Sequence, residues 1–129
     1  MATPKPTEGE LAILRVLWSR KEPITVREVH EVLSRTKDTA YTTVLKMLTI
    51  MADKRLVDRD DGERSHTYRA LHTEHVVQAS LLKDLVRRAF SGSALTLMQR
   101  ALDDEVASPA DLDAISKLIA QAKAKRKKP

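Results

Sequence analysis

The stretch "KDTAYTTVLKML", residues 37–48, decides how this chain folds. Three threonines and a tyrosine stand where a helix begins, although β-branched residues are poor helix formers. Apolar residues then recur at Ala40, Val44, Met47, Leu48 and Met51, the spacing of one helix face. At about 100° per residue, Thr42, Lys46 and Thr49 point the opposite way, flanked by Thr39 and Thr43. Tyr41 falls at the edge of the apolar face. The spacing predicts a helix over about residues 40–54 with a core side and a hydroxyl-rich side.

Short hydroxyls let a helix approach a DNA groove closely. They donate to phosphate oxygens and base edges, and a threonine methyl packs on a thymine methyl. Lys46, one turn on, reaches a phosphate or a guanine edge. Thr39 reads equally well as the N-cap of the helix.

Upstream, "PTEGELAILRVLW" pairs Thr7 with Glu10 in a capping-box spacing, followed by Leu11, Leu14, Leu17 and Trp18. This predicts a helix over about residues 8–19. Pro23 blocks its continuation, and Ile24 can add one short strand. Thr25 and Glu28 repeat the capping-box spacing ahead of Val26, Val29, Val32 and Leu33, predicting a helix over about residues 26–34. "RTKD" then forms a four-residue connection to the threonine-rich helix.

Downstream, "LVDRD", "DG" and "ERSHTYRAL" read as two short strands around a turn. A two-residue loop at Asp61-Gly62 sets Arg59 opposite Arg64, a like-charged pair that an intervening phosphate would relieve, with His66 beside it. A longer loop changes the register and parts the two arginines. Helix, helix, helix, hairpin is the order of a winged helix-turn-helix.

From Thr73 onward the pattern is helical. Val77, Leu81, Leu82, Leu85, Val86 and Phe90 stripe a helix that stops at Gly92. A second helix carries Leu97. A third opens with Ser108 as N-cap and Pro109 at its first position, and carries Leu112, Ile115, Leu118 and Ile119. About fifty residues bury too little surface to stand alone, so these apolar stripes are expected to cover one another in a dimer. The fold class is mainly α with a small β-wing: an N-terminal winged helix-turn-helix over residues 1–72, a C-terminal three-helix dimerisation domain over 73–122 and a basic, flexible tail over 123–129.

Charge follows these divisions. The net charge is +5. Residues 1–72 hold 13 Lys/Arg and 11 Asp/Glu, residues 73–122 hold 5 and 7, and residues 123–129 hold 5 and none. Bulk charge is therefore a property of "KAKRKKP", which reads either as a frayed end or as added attraction for DNA. No cysteine is present, which excludes disulfides and thiolate metal sites and fits a reducing cytoplasm. No apolar run of about 20 residues is available for a membrane span, so membrane insertion is not expected, nor does "MATPKPTEGE" hold a secretory signal. His72 and His75 lack a third metal ligand at a clear spacing. No nucleophile triad, phosphate loop or carboxylate pair appears, so neither enzymatic activity nor a cofactor is expected.

These residues carry a resemblance. "PTEGELAILRVLW", "TVREVHEVL", "AYTTVLKMLTIMADKRLV" and "DGERSHTYRAL" resemble the penicillinase-repressor (BlaI/MecI/CopY) family. The resemblance implies a cytoplasmic homodimeric repressor that binds a palindromic operator in double-stranded DNA and is released by a signal such as β-lactam sensing through a membrane protease. It implies DNA contact by Tyr41, Thr42, Thr43 and Lys46, and by Arg64 on the wing. The family's copper-responsive branch uses a cysteine cluster that this chain lacks. Its β-lactam repressors are cut at an Asn-Phe bond, whose nearest match here is Arg100-Ala101. Family members usually place glycine after the recognition helix, where this chain has Lys54-Arg55, so a different helix-to-wing corner is expected. The competing reading is a winged helix that binds protein instead of DNA, consistent with the near-neutral balance of residues 1–72.

Overall fold

A computed structural model describes residues 5–62 and 65–127. The elements run α1 (Glu8–Trp18), β1 (Ile24–Thr25), α2 (Val26–Leu33), α3 (Tyr41–Asp53), β2 (Val57–Asp60), β3 (Thr67–Ala70), α4 (Glu74–Ala89), α5 (Ala94–Asp103) and α6 (Pro109–Arg126). The chain divides into two compact units, Met1–Lys83 and Asp84–Pro129, with the division inside α4.

The first two helices start as their sequences dictate. The Thr7 hydroxyl accepts the Glu10 amide, and the Glu10 carboxylate accepts the Thr7 amide at 2.8 Å. Thr25 and Glu28 repeat the exchange at the start of α2. Each reciprocal pair satisfies two amides that a helix start would leave open.

The core of the first unit gathers Ile13 and Leu14 from α1, Val29 from α2, Val44, Leu48 and Met51 from α3, and Leu56, Val57 and Tyr68 from the wing. The three strands form one antiparallel sheet in the order β1-β3-β2. Trp18 Nε1 donates to the His72 carbonyl at 2.9 Å, tying the end of α1 to the chain just beyond β3.

Three connections differ from the sequence expectation. Residues 34–40, not four residues, join α2 to α3, because Ser34 and Lys37 amides close onto the His30 and Leu33 carbonyls before the chain extends. In the hairpin Arg59 faces Tyr68 and Asp60 faces Thr67, so the loop is longer than Asp61-Gly62. Burial of Tyr68 explains the choice: this register turns the ring into the core beside Val57. At the corner after α3, Arg55 takes the left-handed conformation (φ 62°) that glycine usually supplies. Its amide and that of Leu56 bond to the Ala52 and Met51 carbonyls at 3.1 and 2.9 Å. Met51 and Leu56 are both fully buried, so the core fixes the corner despite its residue type.

Among the described residues of the second unit, none is buried. Ser93 and Ser108 cap α5 and α6 through the amides of Thr96 and Asp111. Leu95 is 70% exposed and Leu118 61%.

Candidate nucleic-acid interface

The α3 helix presents its two faces as the heptad-like spacing required. Val44, Leu48 and Met51 are buried, while Thr42, Thr43, Lys46 and Thr49 are exposed. Leu45 and Ile50 are exposed as well, which their apolar side chains did not announce. The outer face is therefore hydroxyl, cation and aliphatic together. Thr49 turns its hydroxyl back onto the Leu45 carbonyl at 2.9 Å, which leaves Thr42 and Thr43 as the hydroxyls nearest the start of the helix.

The entry to α3 corrects the reading of Thr39. Ala40, exposed and outside the core face, is the N-cap residue, and no side chain caps the first turn. The Thr39 hydroxyl donates instead to the Lys37 carbonyl at 3.1 Å. An uncapped helix start presents partial positive charge to an anion.

His30, from α2, organises this entry. Its Nε2 lies 2.7 Å from the Thr39 carbonyl. A carbonyl only accepts, so Nε2 carries the hydrogen. The same ring meets Tyr41 edge-on, with centroids 5.8 Å apart and planes at 77°. Tyr41 stays 46% exposed, held against His30 on one side and open on the other. Sequence reasoning missed His30 because its partners lie nine and eleven residues away across an irregular connection. Its place in the last turn of α2 was the only signal.

At the other end of α3, Lys54 Nζ reaches Glu10 Oε1 at 2.7 Å. That oxygen also accepts the Thr7 amide. Burial raises the Glu10 pKa, but the Lys54 ammonium and the Thr7 hydrogen bonds outweigh it and hold the carboxyl below its ordinary value of 4.5. One carboxylate thus joins the start of α1 to the end of α3.

The wing holds its own anion. The Asp61 carboxylate meets Arg59 Nε at 2.7 Å and His66 Nδ1 at 2.8 Å, and Asp58 pairs with Arg69 at 3.0 Å. The register that sets Arg59 against Tyr68 removes the expected Arg59–Arg64 pairing. Arg64 lies outside the described residues. Asp61 supplies internally the negative charge that a phosphate was expected to bring.

The remaining expected residues fall as follows. Leu82 and Leu85 on α4 and Leu112, Leu118 and Ile119 on α6 are exposed, while Leu81, Val86, Phe90, Leu97 and Ile115 are half-buried. Val77 differs: it is 1% exposed within the single chain, so it offers no surface to a partner. Leu95, Met98 and Leu102 add an exposed apolar row on α5 that Leu97 alone did not represent. Arg100 and Ala101 both lie within α5, the first exposed and the second half-buried. Among the described residues no three His, Asp or Glu converge on a metal site, and no helix is long and apolar enough to cross a membrane.

Three helices packed around one core, a wing from β2 and β3, and an exposed polar face on the third helix define a winged helix-turn-helix protein. Residues 6–121 match the family model described as penicillinase repressor. The chain is 38% identical over 116 residues to the transcriptional regulator BlaI of Mycobacterium tuberculosis, in strains CDC 1551 / Oshkosh and ATCC 25618 / H37Rv, covering 89% of this chain and 83% of the relative. This chain belongs to the penicillinase-repressor family. The fold resembles the solution structure of the DNA-binding domain of the repressor BlaI (TM-score 0.51, 25% identity, 59% of this chain and 93% of that one). It also resembles that of Bacillus licheniformis BlaI, monomeric and in complex with the blaP half-operator (TM-score 0.50, 24% identity, 57% and 89%).

Proposed function

We propose that this chain is a transcriptional repressor that binds a palindromic DNA operator as a homodimer, each protomer laying α3 in a major groove. The exposed outer face of α3 carries the reading. Among the described residues, no side-chain partner removes Thr42, Thr43 or Lys46 from a groove, while Val44, Leu48 and Met51 anchor the opposite side. In this reading Thr42 and Thr43 meet backbone or base edges, Lys46 meets a phosphate or guanine, and Tyr41, steadied by His30, contacts the flanking backbone. His66 and Arg64 bring the wing to the adjacent phosphates.

Dimerisation is supported by a different observation. The described residues from 84 to 127 include none that is buried, yet they include Leu85, Leu95, Met98, Leu102, Leu112, Leu118 and Ile119 in exposed positions. A unit with no interior gains its stability from a second copy. Residues 73–122 then form the dimerisation domain, and a two-fold arrangement sets two α3 helices about one helical turn of DNA, or a small multiple, apart. A signal that loosens or cuts α4–α6, such as one relayed by a membrane protease sensing β-lactams, lowers operator affinity by separating the two protomers.

Selection of bound fragments from the source genome tests this reading. The expected result is an enriched inverted repeat with half-sites at that spacing. Enrichment of no sequence, with binding to a protein partner instead, overturns it in favour of a winged helix used as a protein-interaction module.

A further inference from the structure

We propose that the basic segment at residues 123–129 is a second DNA-binding element, which grips the phosphate backbone without reading sequence. This rests on the reading of the chain as a DNA-binding protein, and it adds a surface that the winged helix does not contain.

The charge partition requires an explanation. Residues 1–122 are neutral in sum, and residues 123–129 hold Lys123, Lys125, Arg126, Lys127 and Lys128 with no acid. In the winged-helix unit, several cations are already taken: Lys54 by Glu10, Arg59 by Asp61 and Arg69 by Asp58. Among the described residues of the basic segment, Lys123, Lys125, Arg126 and Lys127 belong to no ion pair, and each is exposed. The preceding acid, Asp113, is ten residues away in sequence.

The segment is also shaped. The α6 helix runs to Arg126, and the Lys127 amide closes it by donating a hydrogen bond to the Lys123 carbonyl at 3.2 Å. Lys123, Arg126 and Lys127 stand at i, i+3 and i+4, so three cations share one side of a helical turn. Like charges at that spacing oppose the helix, and the negative pole of the helix dipole offsets them only in part. A row of phosphates removes the repulsion and releases condensed counterions.

The partner follows from what the segment lacks. Among residues 120–127 the apolar side chains are alanines alone, with no Trp, Phe or Leu to enter a bilayer interface, and the exposed Leu118 and Ile119 before them belong to the proposed dimer face. An interfacial membrane helix needs such a face. The segment lies beyond residues 6–121, which match the family model, so the family's shared architecture does not account for it. A phosphate backbone asks only for exposed, closely spaced cations.

The test uses the full chain with all five basic residues changed to glutamine (Lys123→Gln, Lys125→Gln, Arg126→Gln, Lys127→Gln, Lys128→Gln). Binding to a random 30-base-pair duplex is measured by fluorescence anisotropy from about 50 to 300 mM salt. The slope of log K against log salt is expected to fall by about 2 to 4 units per chain, against a ceiling of about 0.9 per phosphate neutralised. A second variant with the four lysines changed to arginine keeps the parental slope. Sedimentation of each variant with the parental oligomeric state ties the change to charge. An equal slope in the glutamine variant overturns the proposal, as does binding of the parent to phosphatidylserine vesicles that is lost in that variant while its DNA slope stays the same. Failure of the parent chain to bind any duplex at 50 mM salt overturns the underlying DNA reading as well, and that result is distinct from an unchanged slope.

Discussion

Replacing Lys54 with methionine isolates the ion pair that joins α1 to the end of α3. The Glu10 side chain is 6% exposed and accepts both Lys54 Nζ, at 2.7 Å, and the Thr7 amide. A hydrogen bond to a charged group contributes about 1.5–3 kcal/mol. Lys54 is 36% exposed, so solvent screens the pair and roughly halves that figure. The expected loss at pH 7 is about 0.75–1.5 kcal/mol, a fall of about 0.5–1 M in urea midpoint for a slope near 1.5 kcal/mol/M. Protein concentration is held fixed, because the midpoint of a chain that self-associates depends on it.

The acid limb gives the second readout. The Glu10 pKa is lowered in the folded chain, so its contribution is present above 4.5 and is lost as pH falls below that value. Without Lys54 the burial remains and its principal opponent is gone. The Glu10 pKa then rises toward or above 4.5, so the stability lost on acidification shrinks or reverses. Glu10→Gln keeps an acceptor for the Thr7 amide and completes a double-mutant cycle, with a coupling energy of about 1 kcal/mol expected. Coupling below about 0.3 kcal/mol, together with an unmoved acid limb, refutes the assignment.

Three further outcomes follow from particular residues. Arg55→Gly relieves a left-handed residue costing about 1–2 kcal/mol and restores about 0.5–1 kcal/mol of chain entropy cost, so urea unfolding should show a net gain of about 0.5–1 kcal/mol; a loss would mean that the arginine side chain makes a compensating contact. Asp61→Asn frees Arg59 and His66 from an exposed carboxylate, and duplex binding at fixed salt should tighten by about fivefold, the equivalent of about 1 kcal/mol; unchanged affinity would remove the wing from the interface. Leu85→Asp removes a leucine worth about 2 kcal/mol on burial from each protomer of the proposed two-fold interface, so sedimentation should show dimerisation weakened at least about a hundredfold with helicity retained; an intact dimer would place the interface elsewhere.

The parts of this fold that were legible in the sequence are those set by neighbours along the chain. Thr7 with Glu10 and Thr25 with Glu28 announce two helix starts because each exchange closes within three residues. Val44, Leu48 and Met51 announce the buried side of α3 by period alone. Distant contacts set the rest. The hairpin register depends on where Tyr68 finds room in the core, so Asp61-Gly62 was misleading as a turn signal. The entry to α3 depends on His30 and the Thr39 carbonyl across the connection, so Thr39 read as a cap while Ala40 took that position uncapped. Arg55 in a left-handed corner contradicts local preference, and the buried pair Met51 and Leu56 overrides it.

The threonine-rich start of α3 thereby acquires a physical account. Its poor helix propensity is tolerated because three buried residues hold the inner side, while Thr42, Thr43 and Lys46 stay open on the outer one. Backbone amide shifts of the isotope-labelled full chain, recorded during titration with an operator fragment recovered by genomic selection, test that account most directly. The largest changes should fall between Tyr41 and Ile50, with a second set in the β2–β3 hairpin. Changes confined to α4–α6, with α3 unmoved at saturating DNA, would contradict it.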